Sequence, residues 1–247
     1  MMEEGAPSLT PPLFYEVDNE LIIVKMREFD LNDKQVDEMM KMIARHKGVI
    51  LDLRGNGGGS EKVLKKLVGG FFDRDLKIAE VKSRKKSESV MAKTRGSNAF
   101  GGRLVVLVDS RSASASEIFA RLVQLEKRGN VMGDKTAGAV MRGGHFQYGL
   151  GYRGVLWDGL LPQAFYGVSI TISDVVMSDG KSLERVGVTP EEVILPTGAD
   201  LAAQRDPVLA QAASMLGKTL DAAKAGKLFP HLDSEPDEKK KADKTGN

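Results

Sequence analysis

Apolar positions along the chain fall into short near-continuous runs and helix-spaced sets that take turns. Leu21 to Met26, Gly48 to Leu53 and Leu104 to Val108 have the length and density of buried strands. Phe14 to Val17 reads as a strand before the first of them, across the turn Asp18-Asn19-Glu20; Leu76 to Val81, Asn130 to Met132 and Val168 to Ile172 read as further strands. Between them, Val36, Met39, Met40, Met42 and Ile43 carry a helix from a start at Asp30–Asp33 to about His46. A second helix is expected from about Ser60 to Phe71, and a third from Ile118, Phe119, Leu122, Val123 and Leu125. A short helix at Ala199–Leu201 and one over Asp206–Leu216, with Pro207 in its first turn, follow. Strands alternating with helices, with glycine at the strand ends, predict an α/β fold. Residues 13–225 are expected to form one core, residues 1–12 a loose N-terminus and residues 226–247 a charged, disordered tail.

Two stretches read as irregular. Lys82 to Ser89 has the composition of a solvated loop, and Met141 to Tyr152 holds Gly143, Gly144, Gly149 and Gly151, a mobile loop or a hairpin. Large apolar groups from Phe146 to Phe165 read as a core hairpin, or as the wall of a ligand pocket or a partner surface. His46, between Arg45 and Lys47 at a helix C-terminus, is expected at the surface.

Composition narrows the chemistry. Thirty-six Lys and Arg against 34 Asp and Glu leave a formal charge of +2 and no electrostatic case for nucleic acid. The absence of cysteine excludes thiol catalysis and cysteine-ligated zinc. The three histidines, His46, His145 and His231, form no metal-binding pair, so neither a metal nor another cofactor is expected. No apolar run reaches the ~20 residues of a membrane helix.

The candidate chemistry sits at two strand-to-helix turns. Arg54-Gly55-Asn56-Gly57-Gly58-Gly59 follows one strand, and Ser112-Ala113-Ser114-Ala115-Ser116-Glu117 follows another. Ser60 stands where a GxGxxG pattern needs glycine, and no Gly-Lys-Ser/Thr follows, so nucleotide binding is a poor fit. A serine three residues before a glutamate marks a helix start, which Ser114 and Glu117 satisfy; Ser112 also fits as a simple cap. Free amides at such a turn can hold developing negative charge.

Asp52-Leu53-Arg54-Gly55-Asn56-Gly57-Gly58-Gly59, the serine cluster and Gly133-Asp134-Lys135-Thr136-Ala137-Gly138 occur in the order seen in C-terminal processing (tail-specific) serine peptidases. Asp179-Gly180 and Gly187-Val188-Thr189-Pro190 resemble that family's closing motif. The resemblance spans roughly residues 20–215. It implies a crotonase- and ClpP-like spiral of ββα units, here a single core without a visible PDZ domain. It also implies a nucleophile at Ser114, an oxyanion hole from the Ala115 N–H and an N–H of the Gly57-Gly58 turn, and a peptide or unfolded-protein substrate. It favours an extracytoplasmic (periplasmic) compartment and leaves a homo-oligomer open.

One position departs from the pattern. The processing peptidases place a basic lysine after Thr-x-Gly, where this chain has Ala139. In this the chain looks like the branch that includes the tricorn core and the interphotoreceptor retinoid-binding modules. Tricorn-like members draw a histidine base from an early strand, near the place of Lys25 here. Lys25, His145 or no base at all are the three alternatives. A serine endopeptidase acting on unfolded or C-terminal segments is the function expected first. The alternative is an inactive member that binds peptide or an apolar ligand; an acyl-CoA enzyme of the same fold is disfavoured by the serine-rich helix start.

Overall fold

A computed structural model describes residues 11–148 and 166–229, which group into two compact units, one ending at Ile194 and the other beginning at Leu195. The first unit opens with the hairpin β1 (Leu13–Asp18) and β2 (Leu21–Lys25), closed by Asp18, whose Oδ1 accepts the Glu20 and Leu21 amides. Helix α1 (Asp33–Ile43) starts at a reciprocal cap in which Asn32 and Gln35 each bind the other's backbone N–H. It leads to β3 (Gly48–Asp52), every residue of which is buried. Helix α2 (Glu61–Phe71) and the hairpin β4 (Leu76–Ser83) and β5 (Ser87–Ala92) follow, then β6 (Arg103–Val108), α3 (Ala115–Leu125) and β7 (Asn130–Gly133). Strands β8 (Arg142–Tyr148), β9 (Tyr166–Met177) and β10 (Glu192–Val193) complete the unit.

These strands make two sheets, ordered β1-β2-β3-β6-β7-β10 and β5-β4-β9-β8. From β2 to β10 the first sheet is parallel, with Asp52 opposite both Lys25 and Leu107. A parallel sheet aligns the carboxyl ends of its strands, so the turns after β3 and β6 emerge side by side. One face of β2, β3 and β6 (Val24, Leu51 and Val106 among others) joins Leu67 and Phe71 of α2 and Phe119 and Val123 of α3 in the core. Phe71 meets both Phe100 and Phe119 edge-on, with ring centroids 5.9 and 5.6 Å apart.

The expected α/β architecture is what the strands and helices form. Three readings change. Part of the stretch Lys82–Ser89 is strand: β5 begins at Ser87, and its buried Val90 and Ala92 alternate with exposed neighbours. His46 is buried, because its ring Nδ1 lies 3.0 Å from the Met42 carbonyl oxygen of the helix end it follows. The core expected to run to residue 225 divides at 194/195. Beyond that point lie α4 (Gly198–Ala202), α5 (Pro207–Met215) and α6 (Ala222–Ala225), capped by Thr197, Asp206 and Asp221. The loose N-terminus lies outside the described residues up to residue 10, and the charged tail from residue 230. No helix among the described residues is long and apolar enough to cross a membrane.

Candidate active site

The turns after β3 and β6 are bolted together by short polar side chains. The Ser112 hydroxyl donates to the Leu53 carbonyl oxygen at 2.9 Å, and the Ser116 hydroxyl to that of Asn56 at 3.0 Å. The Ala113 N–H donates to the Asn56 carbonyl oxygen at 2.9 Å, and the Gly55 N–H to Asp109 Oδ1 at 2.8 Å. Asn56 is fully buried: its Nδ2 donates to the Met26 carbonyl oxygen and its Oδ1 accepts the Gly58 N–H, both at 2.9 Å. The glycine turn thus rests against the serine turn. A Cβ on Gly58 would stand 2.6 Å from Ser114 Cβ and 3.0 Å from the Ala115 nitrogen, and its φ of +98° independently favours glycine.

Ser114 is the N-cap of α3 and has φ 54° and ψ −114°, a conformation that costs a residue with a side chain about 1–3 kcal/mol. Several bonds hold it there. The Ser114 N–H donates to the Ala139 carbonyl oxygen and to Glu117 Oε2, both at 3.0 Å. Glu117, with no exposed surface, is the hub of the site. Its Oε1 accepts the Thr136 hydroxyl at 2.6 Å and the Gly138 N–H at 2.7 Å, and its Oε2 also accepts the Ala139 N–H at 2.9 Å. Thr136 in turn accepts the Val188 N–H at 2.6 Å, which ties the closing Gly187–Pro190 segment to the same hub.

Ser114 and Ala115 open into a cleft of about 540 Å³, solvent-filled space included. Its wall is apolar, built from Leu64, Ile78, Val90, Ile118, Val140 and Val175, with Gly59 at one side and Glu61, Met141 and Arg142 at the rim. Arg142 pairs with Glu61 there. The amides of Ala115 and Gly59 donate to no group among the described residues. A strained serine at a helix start, free amides beside it and an apolar cleft in front make an arrangement suited to acyl transfer.

A family model described as "Peptidase family S41" matches residues 20–194, more than half of the chain. The chain belongs to peptidase family S41. It is 29% identical over 147 residues to the carboxyl-terminal-processing protease of Synechocystis, covering 60% of this chain and 31% of that one. It is 31% identical over 143 residues to the tail-specific protease of Haemophilus influenzae, covering 56% and 20%. In fold it is similar to the photosystem II D1 C-terminal processing protease, with a TM-score of 0.59 at 21% identity over 76% of this chain and 49% of that one. The chain spans about a fifth to a third of the length of the first curated relatives it matches.

Within this S41 core the residues expected from sequence separate into those at the cleft and those elsewhere. Ser114 and Ala115 line it together. The Gly58 N–H is given to Asn56; the amides of Gly57 and Gly59 donate to no group among the described residues, and of these two only Gly59 lines the cleft. Lys25 is not among the residues that line the cleft: its Nζ donates to the Arg54 carbonyl oxygen at 2.5 Å and to Asp52 Oδ1 at 3.1 Å. An ammonium bound to two acceptors serves as a structural cation between β2 and the turn after β3. His145 occupies β8 opposite Ser169; its side chain, like most of the apolar stretch from Phe146 to Phe165, lies outside the described residues. Ser112 is a clamp on Leu53 rather than a helix cap. Composition did not single out Asn56, and Glu117 was legible only as a helix-start residue; the signal for both was their place in turns that must pack on one another.

The Lys25–Asp52 contact is half of a buried cluster. Arg54 adds two side-chain bonds to Asp52, Nε to Oδ1 at 2.9 Å and an Nη2 bond to Oδ2 at 2.7 Å. Burial pushes the Asp52 carboxyl pKa up, but the charges of Arg54 and Lys25 and the Arg54 hydrogen bonds outweigh it and hold the group far below the ordinary carboxylate range. With the folded pKa depressed, the unfolded chain binds the proton first as pH falls. The stabilisation is therefore complete above the unfolded value of about 3.9 and declines below it. Asp52→Asn is expected to lower stability at pH 7 by roughly 3–5 kcal/mol, since two cations lose a buried partner. Urea unfolding should also show a weaker pH dependence below pH ~4 than the parent. Matching acid limbs in the two proteins would show that Asp52 does not carry the effect.

Proposed function

We propose that this chain carries the catalytic core of a serine peptidase that cuts unfolded or C-terminal peptide segments through an acyl-enzyme on Ser114. The observation that carries this is the meeting of Ser114, in its strained cap conformation, with the unengaged Ala115 and Gly59 amides at the mouth of one apolar cleft. The Ser114 Oγ passes its proton to the base as it attacks the scissile carbonyl, whose oxygen becomes an alkoxide within reach of the two amides. Collapse breaks the C–N bond, the protonated base gives the proton to the departing amine, and water then hydrolyses the Ser114 ester and restores the hydroxyl. Preorganised donors of this kind are worth ~10²–10³ in rate each. The wall of Leu64, Ile78, Val90 and Ile118 suits an apolar side chain next to the scissile bond. The names of the Synechocystis and Haemophilus relatives support a substrate cut near its C-terminus.

With Lys25 held by Asp52 and Arg54, the base we assign for testing is His145 of β8. The functional test is incubation with unfolded casein and with a fluorophosphonate probe, followed by peptide mass mapping. Casein cleavage and a probe adduct confined to Ser114 are the expected results. The rate should lose its neutral-pH limb in His145→Ala; an unchanged profile removes His145 as the base. Intact casein and an unlabelled Ser114 would leave a binding member of the family as the function.

A further inference from the structure

The cleft at Ser114 does not end at its rim. A second hollow of about 530 Å³, open space included, adjoins it and shares two wall residues with it, Val81 and Arg142. The other residues of this hollow include Ser83, Lys86 and Glu88, which belong to the turn between β4 and β5 and its flanks. The turn carries the densest run of positive charge in the described part of the chain, Lys82-Ser83-Arg84-Lys85-Lys86, with all four cations exposed.

Two features separate this run from an ordinary solvated loop. First, the turn has a fixed shape. The Ser83 hydroxyl donates to the Lys86 carbonyl oxygen at 3.0 Å and accepts the Lys86 N–H at 3.2 Å, while the Ser83 N–H donates to the same carbonyl oxygen at 2.9 Å. Second, the nearby acids are already engaged. Glu80 binds Lys77 and Ser87, Glu88 binds Lys86, and Glu61 binds Arg142 and Lys65, while Asp174, which accepts from Ser182, stands opposite Lys82 in the strand pairing. Arg84 and Lys85 have no acidic partner among the described residues. The tip of the turn therefore presents uncompensated charge next to a hollow that continues the cleft.

We propose that this turn docks an acidic stretch of the peptide being cleaved, and so selects substrates with Asp or Glu a few residues from an apolar cleavage position. An extended peptide advances about 3.3 Å per residue, so a chain following β4 from Val81 reaches the Arg84–Lys85 tip about four residues from the apolar wall. Guanidinium and ammonium groups at that point pair with carboxylates in water, a contact screened by salt. The proposal deepens the peptidase reading and rests on it for the identity of the ligand.

The test keeps binding separate from chemistry. Ser114→Ala protein is titrated with fluorescent peptides that share an apolar centre and carry either Asp and Glu or Ser and Gln three to five residues away, on either flank. Fluorescence anisotropy is expected to show the acidic peptide of at least one flank binding roughly threefold to tenfold tighter than its neutral counterpart. The preference should shrink between about 0.05 M and about 0.5 M salt, and vanish when Arg84→Glu and Lys85→Glu are added. Equal binding of acidic and neutral peptides, no binding of either, or a preference that survives the charge reversal would each overturn the proposal. A charge-dependent preference in a protein whose parent cleaves nothing would instead remove the peptidase reading and leave the docking surface standing.

Discussion

Replacing Ser114 by alanine is expected to abolish casein cleavage, by at least ~10³-fold, and to remove fluorophosphonate labelling, while leaving the fold intact. The first part follows from chemistry: without Oγ no acyl-enzyme can form, and binding and oxyanion stabilisation alone retain only ~10³–10⁴ over the uncatalysed rate in triad enzymes. The second follows from how the position is built. The cap conformation of Ser114 is held by its backbone N–H, through Ala139 and Glu117, and these bonds do not involve the side chain. Alanine at φ 54° is strained much as serine is, so the melting temperature should shift by only a few degrees. A variant that keeps cleaving casein at a comparable rate would show that another group performs the attack.

The same contrast between side chain and backbone explains what could be read in advance. Strands β2, β3 and β6 are buried on both faces, so Leu21–Val24, Val49–Leu51 and Leu104–Val108 are apolar throughout and stand out in any scan. Strand β5 does not, because it lies at the edge of its sheet and buries only Val90 and Ala92. The serine and glycine turns were legible as a conjunction, since few architectures need both after parallel strands. The assignment of individual amides was not. Which N–H stays free depends on where Asn56 Oδ1 points, and a side chain two residues away decides between Gly58 and Gly59. The partners of Lys25 were not legible for a related reason: a strand position near a family base says nothing of the carboxylate across the sheet, and Asp52 is opposite it in register. Polar networks are settled by three-dimensional pairing, which residue spacing along one strand does not encode.

The largest expected loss outside the nucleophile comes at Glu117. Four donors converge on its carboxylate: the Thr136 hydroxyl and the amides of Gly138, Ser114 and Ala139. The Thr136 and Gly138 bonds are buried and those of Ser114 and Ala139 part-buried. Glu117→Ala therefore leaves two buried donors without an acceptor, at about 1–3 kcal/mol for each, and two more that water can reach only in part. A total destabilisation of roughly 3–5 kcal/mol is expected, read as a lower urea midpoint with little change in the slope. Glu117→Gln separates shape from hydrogen bonding. Its carbonyl oxygen can still serve the Ser114 and Ala139 pair, and its NH₂ can donate to Thr136, whose hydroxyl also acts as an acceptor for Val188. The Gly138 N–H then faces another donor, so glutamine should recover most of the stability but not all of it. In activity the effect should fall on kcat more than on KM, because Glu117 is not among the residues lining the cleft and acts by fixing the backbone of Ser114. Misplacing a nucleophile by about 1 Å can cost ~10² in rate. A Glu117→Ala protein with the parent's midpoint and kcat would refute this, and would mean that the Ala139 carbonyl alone suffices to hold the serine turn.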